Sequence, residues 1–180
     1  SGIGGDKTTV HCGIVNQPDY WLVKLDPAGN LLWEKNIGGQ NLDMPNSLLL
    51  DEARSCMYVV GTSKSPPSCS KTDTTKGKED IWITKLDWNG MGIWDKSYGG
   101  LEVESPRSAV LTSNGDLFCV GSSTSYLAGG GNIPSTGWTA MADMWGFMID
   151  SSGAILWNRW IGTDTGWDYI FDTDYRNGKI

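Results

Sequence analysis

The sequence of 180 residues is poor in the side chains that most often carry catalysis, since it contains a single histidine, His11. A histidine-rich zinc site, a two-histidine iron site and an H-E-x-x-H helix all need more than one histidine and are therefore excluded. No two of the four cysteines form a C-x-x-C pair, which excludes a zinc ribbon and a thioredoxin-type motif. We expect no metal ion, no cofactor and no catalytic residue.

Basic side chains and long apolar runs are also scarce. The chain has 14 lysine and arginine residues against 21 acidic ones, which gives a net charge of −7. Nucleic-acid binding depends on a basic surface, so we expect no nucleic-acid partner. No stretch approaches the ~20 apolar residues that span a bilayer, so we expect no membrane insertion.

The four cysteines leave several pairings open. Cys119 lies in the apolar run LFCVG, which favours a buried free thiol. Cys12 and Cys69 lie in polar segments, and a bridge between them, or from one of them to Cys56, is expected only if the protein is exported.

What the sequence does contain is an internal repeat. The segment DYWLVKLDPAGNLLWEKNIGG at 19–39 returns as DIWITKLDWNGMGIWDKSYGG at 80–100 and as DMWGFMIDSSGAILWNRWIGT at 143–163. A second block, PNSLLLDEARSCMYVVG at 45–61, matches PRSAVLTSNGDLFCVG at 106–121. Repeats of this kind indicate a stacked architecture. The anchor positions, with offsets of 61 and then 63 residues, are Trp21, Trp82 and Trp145; Asp26, Asp87 and Asp150; Gly29, Gly90 and Gly153; Trp33, Trp94 and Trp157; Gly38, Gly99 and Gly162.

Each repeat unit is predicted to form four short strands. In the unit 101–163 these are RSAVLT, DLFCVGS, DMWGFMID and AILWNRWIG, separated by the turn signals SNGD and SSGA and by one long polar loop. No segment has a sustained helical period, so the chain is predicted to be all-β. A period of about 60 residues with four strands is typical of a β-propeller blade with loop insertions. We therefore expect a β-propeller-like segment of about three four-stranded antiparallel blades, with units at about 1–39, 40–100 and 101–163 and a partial unit at 164–180.

The repeated D-x-x-G-x-x-x-W motif has an architectural explanation. The aspartate can accept hydrogen bonds from backbone N–H groups of its own turn, and the glycine supplies the positive φ that closes it. The following tryptophan, and the one at the start of each third strand, are expected to pack between neighbouring units.

Four tryptophans do not recur with the repeat and are the candidates for ligand contact. A tryptophan on a loop can stack on a sugar ring or on a partner, although a packing role is about twice as frequent for such a residue. These residues are Trp88, Trp138, Trp160 and Trp167.

The pattern D-Y-W-L-V-K-L-D-x-x-G-N-x-x-W-x-K-x-x-G-G, followed by a strand ending Y-V-V-G, resembles the long β-propeller repeats of secreted and cell-surface proteins, best known from Bacteroidetes-type bacteria. The opening GDKTT at 5–9 fits a loop of the same repeat. The third unit departs from it, with Met148 in place of the lysine and Thr163 in place of the second glycine. The resemblance implies an extracellular or surface location in a large exported protein, and repeats that are not themselves enzymes.

Three blades leave exposed sheet faces, so we expect a partial ring that is completed by further blades of the same chain or by a second protomer. The expected function is a non-catalytic scaffold or protein-interaction module. One alternative is a glycan-binding, lectin-like propeller, and a second is part of a propeller enzyme such as a glycoside hydrolase. Sialidase-type catalysis needs an arginine cluster and a tyrosine nucleophile, and the few arginines of the chain do not indicate one.

Overall fold

The computed structural model describes residues 8–13, 16–125, 130–134, 143–162 and 168–180. Within these ranges the regular elements are β-strands and one short 3-10 helix, Glu52–Arg54. None of the described elements is a helix of the length and apolarity needed to cross a bilayer. The strands are β1 Tyr20–Leu25, β2 Leu31–Ile37, β3 Asp43–Asp51, β4 Cys56–Ser63, β5 Asp80–Asp87, β6 Gly92–Tyr98, β7 Glu104–Leu111, β8 Leu117–Ser123, β9 Asp143–Ile149 and β10 Ile155–Ile161.

The strands form three antiparallel sheets in chain order. Strands β3 to β6 make one four-stranded sheet, β7 to β10 make a second, and β1 and β2 form a two-stranded hairpin. The prediction of an all-β chain is confirmed, and units 40–100 and 101–163 each form a four-stranded antiparallel sheet, whereas the described residues of unit 1–39 form two strands. In the described part of the chain the three sheets are open and do not form a closed ring.

The two four-stranded sheets share an irregularity that follows from the sequence. The register of β3 against β4 shifts between Pro45 and Ser47, and that of β7 against β8 shifts between Pro106 and Ser108. Proline has no N–H to donate to the sheet, so a bulge at this position is expected.

The turns after β1, β5 and β9 have the geometry that their sequence motif predicts. In the first, Asp26 accepts hydrogen bonds from the N–H groups of Ala28 and Asn30 at 2.9 and 2.8 Å, and Gly29 has φ +85°. The hydrogen bonds of Asn30 are the main cause that lowers the pKa of Asp26. The turns beginning at Asp87 and Asp150 repeat this arrangement.

The largest core lies between the two four-stranded sheets, which contact each other along β3 and β7. Phe147 stacks on Tyr98 of the preceding sheet, with 5.0 Å between the ring centroids. Trp94 of β6 also reaches the next sheet, where its Nε1 donates to the Ser151 carbonyl at 3.1 Å. Cys119 lies in this core as a buried free thiol, as its apolar neighbours predicted.

The N-terminal segment is tied to the loop after β4 by a disulfide between Cys12 and Cys69. This is one of the pairings that the sequence left open, and it leaves Cys56 as a second buried free thiol. At the other end of the chain, residues 168–180 lie against the second sheet: Ile170 packs on the cluster around Phe118, and the Thr173 N–H donates to Ser108 Oγ at 3.0 Å.

Candidate functional site

An apolar groove of about 490 Å³ lies between the β1–β2 hairpin and the first two strands of the following sheet. Its floor is formed by β3 and β4 and its wall by the edge of β1, where no described strand pairs. It is lined by Trp21, Leu22, Val23, Lys24, Trp33, Pro45, Asn46, Ser47, Leu48, Leu50, Met57, Val59 and Trp88.

The alternation of strand side chains places an apolar row in this groove. On β3, Leu49 packs toward the core between the sheets, while Leu48 and Leu50 point the other way and are each 54 % exposed. On β4, Met57 and Val59 share the face of Leu48 and Leu50. Met57 and Val59 are already buried, whereas the exposed Leu48 and Leu50 lose the free energy that burial would give, so this face favours a partner.

The end of the groove is formed by two tryptophans and a lysine. Lys24 Nζ donates to the Trp88 carbonyl at 3.2 Å and lies 6.0 Å from the centroid of the Trp33 ring. Both rings pack against the cluster that joins the hairpin to the next sheet. This end therefore combines aromatic surface with one cation, while the rest of the lining is mainly aliphatic.

The structure separates the tryptophans that the sequence proposed for ligand contact. Trp88 lines the groove. Trp160 lies on β10, packs against the core between the sheets and donates from Nε1 to the Pro134 carbonyl at 3.2 Å. Trp88 and Trp160 therefore do not share a site. Trp138 and Trp167 lie outside the described residues.

The repeated tryptophans of the third strands differ in burial. Trp82 and Trp145 are fully buried, whereas Trp21 is 43 % exposed at the groove. Sequence reasoning also missed the aliphatic floor, because the run of three leucines at 48–50 does not reveal which of them point away from the core. Strand alternation assigns Leu48 and Leu50 to the groove only once the structure shows that Asp51, on the face of Leu49, is buried.

A second cluster, around Lys71, is polar and buried. Lys71 Nζ donates to Ser97 Oγ at 2.6 Å and lies 4.9 Å from the centroid of the Trp82 ring. Burial lowers the pKa of this lysine, against the opposing effect of Asp95. Asp95 in turn accepts from Trp82 Nε1 at 3.0 Å and from the Thr72 N–H at 2.9 Å.

This polar cluster recurs at the β1–β2 hairpin, which indicates an architectural role. There Glu34 takes the place of Asp95, accepting from Trp21 Nε1 at 2.8 Å and from the Thr8 and Thr9 N–H groups at 2.7 and 2.9 Å. In each case a carboxylate on the fourth strand accepts hydrogen bonds both from the preceding loop and from the tryptophan of the third strand.

Paired carboxyl groups also recur, one pair at each junction between units. Asp80 and Glu104 are fully buried, and the pKa of Asp80 is raised to about 6, mainly by burial and further by Glu104. The pKa of Asp43 is raised by burial, with a contribution from Asp19. At the third junction Asp143 has its pKa raised by burial and by Asp168. Across the described ranges, no group of three or more histidine, cysteine or acidic side chains is placed to hold a metal ion.

Comparison with known proteins gives a distant relationship. No family model matches the chain. It is 31 % identical over 147 residues to the regulatory protein FlaEY of Caulobacter vibrioides, an alignment that covers 78 % of this chain and 15 % of that protein. The chain thus spans about 15 % of the length of the curated relative that it matches.

Two mutants of the Synechocystis apocarotenoid oxygenase are among the solved structures that are similar to the chain. They are each 16 % identical to it, with TM-scores of 0.38 and 0.39, and the match covers 78 % of this chain and 32 % of theirs. A similarity at this level carries no conclusion about activity.

Proposed function

We propose that this chain is a non-catalytic, propeller-like segment of a secreted or cell-surface protein, and that it acts as a scaffold and protein-interaction module. In this proposal each four-stranded sheet is one blade, and the groove is the face through which the segment binds further polypeptide. The observation that carries the proposal is the groove itself, where an edge of β1 that pairs with no strand of the described residues borders an aliphatic floor.

Two further observations support the proposal. The interface between the two four-stranded sheets is apolar and is built from the same repeat positions as the groove, so this kind of face is already used for protein contact within the chain. The disulfide between Cys12 and Cys69 favours an oxidising compartment, as expected for an exported protein.

The proposal is tested by self-association, because a purified sample offers a second copy as the only polypeptide that can cover the groove. Light scattering is measured from about 1 to 100 µM for the natural chain and for the variant Leu48→Asp. We expect the mass to rise above 19.6 kDa with concentration for the natural chain, and to stay there for Leu48→Asp. The matched control is Ile93→Asp, since Ile93 is also 54 % exposed but lies on β6, away from the groove.

A natural chain that stays at 19.6 kDa over the whole range and is as soluble as Leu48→Asp would contradict self-association through the groove. Equal loss of association in both variants would assign it to general surface hydrophobicity and would also count against the groove.

A second candidate function is glycan binding, favoured by the aromatic end of the groove. Trp88 and Trp21 both line it, and tryptophan rings are suited to stack on the apolar face of a sugar. A glycan array followed by titration at millimolar sugar tests this function. Binding that Trp88→Ala removes and Trp160→Ala preserves would support it, and no binding to any sugar on the array would exclude those sugars as ligands.

A further inference from the structure

Among the described residues, the groove lies beside the one sheet that has two strands, and the two four-stranded sheets show what lies at this position in a complete unit. In each four-stranded sheet the third strand pairs with the second: β5 with β4, and β9 with β8. Strand β1 has the sequence of a third strand, but within the described residues it pairs only with β2. Its other edge borders the groove. In the two complete sheets, the corresponding edge of the third strand pairs with the second strand of the same unit.

The interface between the two complete sheets shows which side chains fill this position. There the faces of Ala109 and Leu111 on β7, and of Leu117 and Cys119 on β8, are covered by side chains of β3 and β4. The covering residues include Leu49, Tyr58 and Val60. The groove floor consists of the same four repeat positions one unit earlier, namely Leu48, Leu50, Met57 and Val59.

We propose that the groove binds a β-hairpin with the chemistry of this repeat, which adds its second strand to the edge of β1 and lays its apolar face on the groove floor. The proposal rests on the proposed interaction function and specifies the partner. The occupant is a two-stranded segment with the sequence pattern of residues 43–63, whose second strand pairs with the third strand in the complete sheet.

The register of the docked hairpin follows from the two complete sheets. Trp82 pairs with Gly61, and Trp145 pairs with Gly121. A side chain at either glycine would collide with a backbone carbonyl of the first strand, that of Met44 or of Ser105. The docked strand therefore places a glycine opposite Trp21, a β-branched residue opposite Leu22 and the next residue toward its N-terminus opposite Val23.

The chain supplies its own probe, because residues 43–63 form such a hairpin. A synthetic, fluorescein-labelled peptide of residues 43–63 with Cys56→Ser is titrated with the chain near 1 µM, and its fluorescence polarisation is followed. We expect saturable binding, at least tenfold weaker for the chain variant Leu48→Asp and unchanged for Ile93→Asp. A control peptide that also carries Tyr58→Asp and Val60→Asp should bind at least tenfold more weakly, since these side chains face the floor.

The register has a separate readout. In a glutathione buffer, the chain variant Val23→Cys should form a disulfide with the peptide variant Val59→Cys, because the two positions pair directly on one face of the sheet. The peptide variant Tyr58→Cys should form it at least tenfold more slowly, because its thiol would point to the opposite face. Equal rates for both peptides would overturn the register.

The hairpin proposal and the interaction function fail in different ways. Self-association that Leu48→Asp abolishes, with no binding of the peptide, would overturn the hairpin proposal and leave the interaction function standing. If the chain shows no self-association and binds no peptide, both the hairpin proposal and the interaction function are overturned. Peptide binding with equal affinity for Leu48→Asp and the natural chain would place the peptide elsewhere and would also overturn the hairpin proposal.

Discussion

The buried carboxyl pair of Asp80 and Glu104 makes a sharp prediction about pH. Asp80 is fully buried at the start of β5, and its Oδ2 accepts from the Lys76 N–H at 2.5 Å. Its Oδ1 has no hydrogen-bond partner and points, like Glu104 Oε2, at the space over Gly99. A buried carboxylate next to another is stabilised by protonation, so the native state holds the proton more tightly than the unfolded chain does.

The magnitude follows from the pKa values. The pKa of Asp80 is raised from 3.8 to about 6 in the folded protein. The folded state binds more protons than the unfolded state between these values, so the free energy of unfolding falls as pH rises through this window. With ~1.4 kcal/mol for each pH unit, the shift corresponds to a loss of about 3 kcal/mol, fully present above pH 6.

The substitution Asp80→Asn should remove this pH dependence. The amide oxygen can still accept from the Lys76 N–H, and the amide nitrogen can donate toward Glu104, without a second buried charge. We expect urea unfolding to show Asp80→Asn more stable than the natural chain by about 1–3 kcal/mol at pH 8, and no more stable at pH 4.

The control is Asp87→Asn in the exposed turn after β5, where hydrogen bonds, first that of the Met91 N–H, lower the aspartate pKa. Its effect should have the opposite sign, with a loss of stability that shrinks as the pH falls. An Asp80→Asn variant that is less stable than the natural chain at pH 8, or a difference that does not change from pH 4 to pH 8, would refute the assignment of the raised pKa to Asp80.

Two further predictions concern the framework of the fold. The disulfide between Cys12 and Cys69 spans 57 residues, and by restricting the unfolded chain it should contribute about 4 kcal/mol to the free energy of unfolding. The double variant Cys12→Ser, Cys69→Ser should lose most of this stabilisation in urea unfolding. A reductant should destabilise the natural chain but not the double variant. A stability unaffected by reductant would contradict the bridge. Gly90→Ala should lower the free energy of unfolding by about 1–2 kcal/mol, since Gly90 has φ +72° and a Cβ would press on Trp33. Gly92→Ala, with open space around the added Cβ, should be near neutral. Equal melting temperatures for the two variants would contradict the turn geometry.

The strands and turns could be predicted from the sequence because their causes are local. The D-x-x-G turn needs only an aspartate that accepts from its own turn and a glycine at positive φ, and both lie within four residues. Strand alternation and the repeat spacing then give the four antiparallel strands of units 40–100 and 101–163. These are the features in which the structure and the sequence-based prediction agree.

The groove could not be predicted in the same way because its cause is non-local. Trp21, Trp82 and Trp145 stand at one repeat position, yet only Trp21 is exposed among them. The difference is set by what lies on the neighbouring strand edge, which no local pattern encodes. The Cys12–Cys69 pairing has the same origin, since it depends on how the N-terminal segment meets the loop of the next unit.

The β1–β2 hairpin shows how the repeat distributes stability. A two-stranded hairpin is marginally stable alone, so this one depends on its contacts with the next sheet. Tyr20 supplies them, with its ring centroid 4.9 Å from that of Trp82 and its hydroxyl donating to the Trp82 carbonyl at 3.2 Å. In a stacked repeat each unit is stabilised by its intrinsic folding and by its nearest neighbours. A hairpin that docks on β1 would therefore stabilise β1 and β2 most and the second sheet least, which links occupation of the groove to order at one end of the molecule.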